Sequence, residues 1–231
     1  MLAKIWNSCV DLVFPDFCEV CSELLIKGEK SICLSCFYEM PKTHYWKETE
    51  NEIEKIFWGK VNIERACALF FYRKGSNFRP LIHKLKYQGS YKLGMRLGEE
   101  LGFHLKSAPL YKDVDLIVPV PLHPKKERQR GYNQSNCISK GISEIMNIPV
   151  ETNSLIRTQY TETQTLKAKQ ERWENVSDIF ALKSTSSIEN KHILLVDDVI
   201  TTGSTMEACS TTILNNCNCK VSLASIGYAS F

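Results

Sequence analysis

The segment from His192 to Met206, HILLVDDVITTGSTM, constrains this chain more than any other. Ile193, Leu194, Leu195 and Val196 form a continuous apolar run, which suits a strand buried on both faces of a parallel sheet. Asp197 and Asp198 follow at once. Thr201, Thr202, Gly203, Ser204 and Thr205 then make a hydroxyl-rich turn, and Met206 to Leu214 has helical character. The first amides of a helix lack intrahelical acceptors and the helix dipole favours negative charge there. A strand, a turn and a helix N-terminus in this order therefore predict an anion site suited to a phosphate monoester. The carboxylates cannot hold that phosphate, but one sugar-length away they suit the hydroxyls of a ribose diol. The segment predicts a cradle for ribose 5-phosphate; the competing reading is a buried strand and a capped helix with no ligand. A nucleotide P-loop is excluded because no G-K-[ST] follows, and a dinucleotide loop would need G-x-G-x-x-G.

At these residues the segment resembles the phosphoribosyl pyrophosphate (PRPP) loop of type I phosphoribosyltransferases. There, four apolar and two acidic residues precede V-x-T-T-G-x-T. A second buried-strand candidate, Asp115 to Pro121 (DLIVPVP), runs into LHPKKERQRGYNQS. In that stretch Lys125, Lys126, Arg128 and Arg130 stand against a single Glu127. Ligands of open parallel sheets bind beyond the carboxyl ends of the strands, so this basic turn is the candidate pyrophosphate site, or else a solvated surface loop. Asn133 should cap a helix that carries Ile138, Ile142, Ile145 and Met146 on one side. Alternating strands and helices give an α/β class.

A different constraint lies near the start. Cys18, Cys21, Cys33 and Cys36 are spaced C-x2-C-x11-C-x2-C, and each C-x2-C pair can present two thiolates to one metal. Two such knuckles complete a tetrahedral Zn2+ site with no open position, hence a structural one. The other six of the ten cysteines, at 9, 67, 137, 209, 217 and 219, read as core or incidental. With 231 residues, 43% hydrophobic and 24% charged, the chain is expected to form two unequal units: residues 1–60, a helix, the zinc ribbon and a linker, and residues 61–231, the α/β domain. Pro41 to Lys60 is polar and acidic and reads as linker surface. Leu2, Ile5, Trp6, Cys9, Val13 and Phe14 approximate one helical face. No apolar run approaches the roughly eighteen residues of a membrane span, and no signal-peptide core is evident, so a cytoplasmic protein is expected.

Between Arg65 and Gly98 there is no acidic residue, while Arg65, Arg73, Lys74, Arg79, Lys84, Lys86, Lys92 and Arg96 are interleaved with Phe70, Phe71, Tyr72, Phe78, Tyr87 and Tyr91. Such a tract can track a phosphate backbone and stack bases, making Lys84, Lys86 and Tyr87 candidates for binding single-stranded DNA. The aromatics equally suit a core, and the charges a field that attracts a polyanion. Arg157 to Asn175 is polar and long for a passive connection, as lids are, with Gln164, Arg172 and Asn175 its distinctive members. Asp178 to Leu182 reads as a short strand and Val221 to Gly227 as the closing one.

With the four cysteines, VPVPLHPKKERQRGYNQ, the Arg157 segment and the Asp197–Asp198 loop in this order, nearly the whole chain resembles the ComF family. Tyr132 stands where Phe is common, and Ser204 where Ala is common. The resemblance implies a small zinc module joined to a type I phosphoribosyltransferase-like parallel sheet flanked by helices. It also implies a role in natural competence beside incoming single-stranded DNA and other competence proteins. The chain is also similar to the transferase half of amidophosphoribosyltransferases. That likeness implies Pro121, Leu122 and His123 at the pyrophosphate, Arg157 and Thr158 opening a lid, and Asp197 and Asp198 at the ribose hydroxyls. It further implies Thr201 to Thr205 at the 5-phosphate, and Mg2+ entering with PRPP. Two classes stay open: a transferase displacing pyrophosphate from C1 of PRPP toward an acceptor the sequence does not name, including one of nucleotide salvage, and a PRPP-binding module without turnover.

Overall fold

The computed structural model describes residues 15–73, 75–87, 89–159 and 179–229. The amphipathic stretch expected over residues 1–14, and Lys74, Gln164, Arg172, Asn175 and Asp178, lie outside them. The strands are β1 (Ala66–Phe71), β2 (Leu116–Pro119), β3 (Leu155–Arg157), β4 (Phe180–Leu182), β5 (His192–Ile200) and β6 (Lys220–Tyr228). The helices are α1 (Leu34–Glu39), α2 (Glu52–Phe57), α3 (Arg79–Tyr87), α4 (Tyr91–Ser107), α5 (Pro124–Arg130), α6 (Gln134–Met146) and α7 (Ser204–Asn216).

Four strands form one sheet in the order β1-β6-β5-β2, with every neighbouring pair parallel. β3 and β4 make a separate antiparallel pair. Successive side chains of a strand face opposite ways, and this alternation divides the core. Leu69, Ile117, Leu194, Val196, Ala224 and Ile226 pack with α3, α4 and α6 on one face. Ala66, Leu116, Val118, Ile193, Leu195 and Leu223 pack with α2, α7 and the β3–β4 pair on the other. A parallel sheet flanked by helices is the α/β architecture that the sequence pattern predicts.

The differences from expectation have identifiable causes. β6 does not close the sheet; it sits between β1 and β5. The basic stretch after β2 is a helix rather than a turn: Pro124 occupies its first position, His123 Nδ1 accepts from Lys125 N at 3.2 Å, and Gly131 ends it with φ 82. β5 continues through both carboxylates to Ile200 instead of ending at Val196. The 41–60 stretch is not linker surface, because Trp46, Ile53 and Phe57 within it are fully buried. Burying such side chains contributes roughly 1.5–3 kcal/mol each, enough to fix the segment to the domain. Asn51 caps α2 and donates to the Ala66 carbonyl at 2.9 Å, while the Glu54 carboxylate accepts from Ala66 N at 3.3 Å. The acidic residues seen in the sequence are thus partly the tie between this segment and β1.

The cysteine region shares the core of the sheet domain. Cys18, Ile32, Cys33, Cys36, Phe37 and Met40 belong to one buried cluster with Leu81, Leu85 and Leu97 of α3 and α4. Across the sheet domain α4 and α6 cross at close range. A Cβ at Gly98 would run into the Ile138 carbonyl oxygen, and one at Gly141 into that of Met95. This close crossing sets the start of α6 against the end of β2.

Candidate functional site

Four thiolates held at about 2.3 Å by one tetrahedral zinc sit about 3.8 Å apart. Cys21 and Cys33 Sγ are 3.8 Å apart, and all four Sγ atoms lie within 4.8 Å of one another. Backbone amides already point at the sulfurs: Cys33 N donates to Cys18 Sγ at 3.4 Å and Cys36 N to Cys33 Sγ at 3.5 Å. Burial opposes a thiolate at Cys18, but amides of Cys21, Cys33 and Val20 outweigh it and hold its pKa below the ordinary value. Amide donors, soft ligands and spacing all fit a metal. The described cysteines that the sequence left unpaired, Cys67, Cys137, Cys209 and Cys217, are buried, and Cys219 is half-buried.

The second constellation assembles at the carboxyl ends of β2 and β5. Pro119 pairs in register with Val196, which brings the Pro121–Leu122–His123 loop beside Asp197. Asn133 fixes the start of α6 there, accepting from Ser135 N at 3.0 Å and donating to the Val120 carbonyl at 3.0 Å. Ser135 Oγ then donates to Asp197 Oδ1 at 3.0 Å across 62 residues of sequence, and Asp198 N donates to the same oxygen at 2.8 Å. Asp198 Oδ1 lies 3.2 Å from Lys86 Nζ of α3. Burial and the adjacent Asp198 charge raise the pKa of Asp197; its Asp198 amide, Lys86 and Ser135 oppose the shift without cancelling it. Burial works against charge on Lys86, and the Asp198 and Asp197 carboxylates overcome it, so its pKa rises.

Beyond β5 the chain turns through Thr201 and Thr202 into α7. Gly203 takes φ 80, a left-handed conformation that favours glycine, and caps the helix without a side-chain bond. A Cβ here would also meet Ile56 Cγ2 at 2.7 Å, so α2 backs this turn. Thr201, Thr202, Ser204 and Thr205 are exposed around it, with Thr202 Oγ1 and Ser204 Oγ 3.0 Å apart. Arg157 ends β3, with its guanidinium 5.4 Å from the Phe180 ring. Burial lowers its pKa, while Cys209 and Asp197 act in the opposite direction, which puts this start of the expected lid within the field of Asp197. Thr158 is tied at its root by two bonds to the Ile179 carbonyl, from N at 2.9 Å and from Oγ1 at 3.0 Å.

The basic tract does not act as one surface. Lys84 Nζ pairs with Glu19 of the cysteine loop at 2.6 Å, Lys86 pairs with Asp198, and Arg96 pairs with Glu99 at 3.2 Å while lying over Phe37. Phe70 and Phe78 are core. Arg73, Arg79, Tyr87, Tyr91 and Lys92 remain exposed. Lys86 and Ser135 are the members of the acid site that sequence reasoning did not assign to it. The sequence marked Lys86 only as a member of the basic, aromatic tract, and nothing in its spacing pointed to Asp198.

Residues 138–230 match the phosphoribosyl transferase domain family, a span that holds both carboxylates and the threonine turn. The DNA utilization protein YhgH of Escherichia coli strain K12 is 27% identical over 202 residues, 86% of this chain and 84% of that protein. Competence protein F of Haemophilus influenzae is 33% identical over 134 residues, 56% of this chain and 58% of that protein. Among solved structures, a glutamine PRPP amidotransferase from B. subtilis aligns with 70% of this chain and 32% of its own at 19% identity, with a TM-score of 0.41. Sheet, acid pair and domain match define a phosphoribosyltransferase-type α/β protein that carries a four-cysteine module. Within that class, these likenesses, with that to competence protein ComFC of Bacillus subtilis at 33% identity over 91 residues, 39% of this chain and 35% of that protein, support a ComF-family protein. Among the described residues no helix is long and apolar enough to cross a membrane.

Proposed function

We propose that this is a PRPP-binding phosphoribosyltransferase-family protein that supports natural competence in the cytoplasm by handling incoming single-stranded DNA. The observation that carries the PRPP reading is the run of Asp197 and Asp198 at the end of β5 into the Gly203-capped start of α7. Asp197 and Asp198 accept from the ribose hydroxyls, and the amides and hydroxyls of Thr201 to Thr205 take the 5-phosphate. Pro121, Leu122 and His123, with Lys125, Arg128 and Arg130 of α5, face the pyrophosphate. Arg157 and Thr158 root the lid that excludes water from the reactive sugar. Cys18, Cys21, Cys33 and Cys36 hold Zn2+. Hard carboxylate oxygens beside a substrate polyphosphate also suit Mg2+, which keeps most of its ligands as water and phosphate, and Asp197 and Asp198 are the donors at hand. Bound Mg2+ supplies charge neutralisation at the departing pyrophosphate.

The DNA part of the reading is supported by the likeness to a DNA utilization protein and a competence protein and by the exposed Arg73, Arg79, Tyr87, Tyr91 and Lys92. One observation favours a transferase that acts on a small acceptor and has no DNA role: Lys84 and Lys86, two of the three DNA candidates, are held in internal ion pairs. A pyrophosphate-release screen over bases, amines and single-stranded oligonucleotides, run beside a salt titration of oligonucleotide binding, separates the two. Steep salt dependence is expected for DNA handling, because each neutralised phosphate releases counterions. Release without binding would leave the plain transferase.

A further inference from the structure

Lys86 stands out among the described basic residues of its tract. Its Nζ lies 3.2 Å from Asp198 Oδ1, and its charge is felt by both acids and by Arg130 at the end of the basic helix. It therefore borders the acids at the ribose end and the cations at the pyrophosphate end. The C-terminal turn of α3 is held in that place from two sides. The Tyr132 hydroxyl donates to the Leu85 carbonyl, and the Arg130 guanidinium lies 5.6 Å from the Tyr87 ring. Gln134 adds a donor nearby: its Oε1 accepts from Arg130 at 2.9 Å, and its buried Nε2 has no acceptor among the described residues.

We infer that Lys86 is a ligand-selecting residue of the PRPP site. In the free protein it is the counter-ion of Asp198; when PRPP binds, its ammonium turns toward the pyrophosphate on C1 and leaves Asp198 to accept from the ribose. The need for such a group follows from charge. A polyanion must settle beside two carboxylates, and a cation on a flexible four-carbon stem can serve either partner in turn. Lys86 thereby distinguishes a sugar that carries pyrophosphate at C1 from one that does not. This inference rests on the PRPP reading of the site and adds a residue to it.

The test is calorimetry with PRPP and, separately, ribose 5-phosphate in Mg2+ buffer, on the full chain as wild type, Lys86→Gln and Lys86→Arg. Loss of a charge-assisted bond predicts that Lys86→Gln weakens PRPP by about tenfold or more while ribose 5-phosphate changes little. Lys86→Arg should recover most of the PRPP loss. Retained ribose 5-phosphate binding also shows that the variant is folded. Equal losses for both ligands would mean that Lys86 only props Asp198, and no loss for either would mean that it does not reach the ligand; each overturns the inference while leaving the PRPP reading intact. Wild type that binds neither ligand would overturn the PRPP reading itself.

Discussion

The cysteine cluster and the acid site are built in opposite ways. The first draws its four sulfurs from two local knuckles, and the chain spacing within each pair does most of the positioning. The second gathers Lys86 from α3, Ser135 from α6 and Asp197 and Asp198 from β5, with 62 residues separating Ser135 from its acid. A site made of local pieces tolerates changes elsewhere in the fold; a site made of distant pieces reports on all the packing that brings them together. Yet the two are not independent. The cysteines share a buried cluster with α3, and Lys84 and Lys86 of that helix reach Glu19 in one site and Asp198 in the other.

That link is broken most forcefully at the cysteines. Cys33→Ser removes a buried member of the proposed zinc site, and zinc binding is folding energy for a small ribbon. Because Phe37 and Met40 pack in the cluster that holds Leu85, the loss should spread to the sheet domain as one cooperative transition, lowered by about 3 kcal/mol or more. Metal analysis should fall from one zinc per chain toward none. Two separated thermal transitions would show that the cysteine region is an independent unit.

A smaller effect is expected from opening the crossing that sets α6. Gly98→Ala forces a methyl against the Ile138 carbonyl and should cost about 1–3 kcal/mol in denaturant unfolding, and PRPP should weaken because Asn133 and Ser135 ride on that helix. Unchanged stability would mean that the helices separate freely.

Next comes pH. Burial and the Asp198 charge push the Asp197 carboxyl up to about 7 from an ordinary 3.8. A group whose folded pKa is raised favours folding while protonated, so its contribution is complete below about pH 4 and is lost as pH climbs through about 7. Asp197→Asn should flatten this decline and make the free protein more stable at pH 8, while weakening PRPP. PRPP affinity of the wild type should rise between pH 6 and pH 8 as the acceptor ionises. Thermal unfolding and calorimetry at the two pH values check both; a variant with the wild-type slope would assign the titration elsewhere.

The smallest effect belongs to Glu19→Gln. The Lys84–Glu19 pair is partly exposed, so its loss should cost less than about 1 kcal/mol and be masked by salt. A large loss of PRPP affinity in this variant would instead reveal strong coupling through α3.

The sequence by itself determined what depends on near neighbours. The C-x2-C pairs fix the four-cysteine cluster, and the apolar run with two acids and a threonine–glycine turn fixes the strand, the carboxylates and the helix start. Asn133 and Ile138 fix α6. These follow from backbone periodicity and capping, which act over a few residues. Only the tertiary structure decided that β6 lies inside the sheet, that the acidic 41–60 stretch is core against β1, and that Lys86 faces Asp198 rather than solvent. The composition of a basic, aromatic tract is the same whether its charges meet water, DNA or a buried acid. What separates these outcomes is which surfaces the helices bury, and that is settled by packing between segments far apart in the chain, where no spacing rule operates.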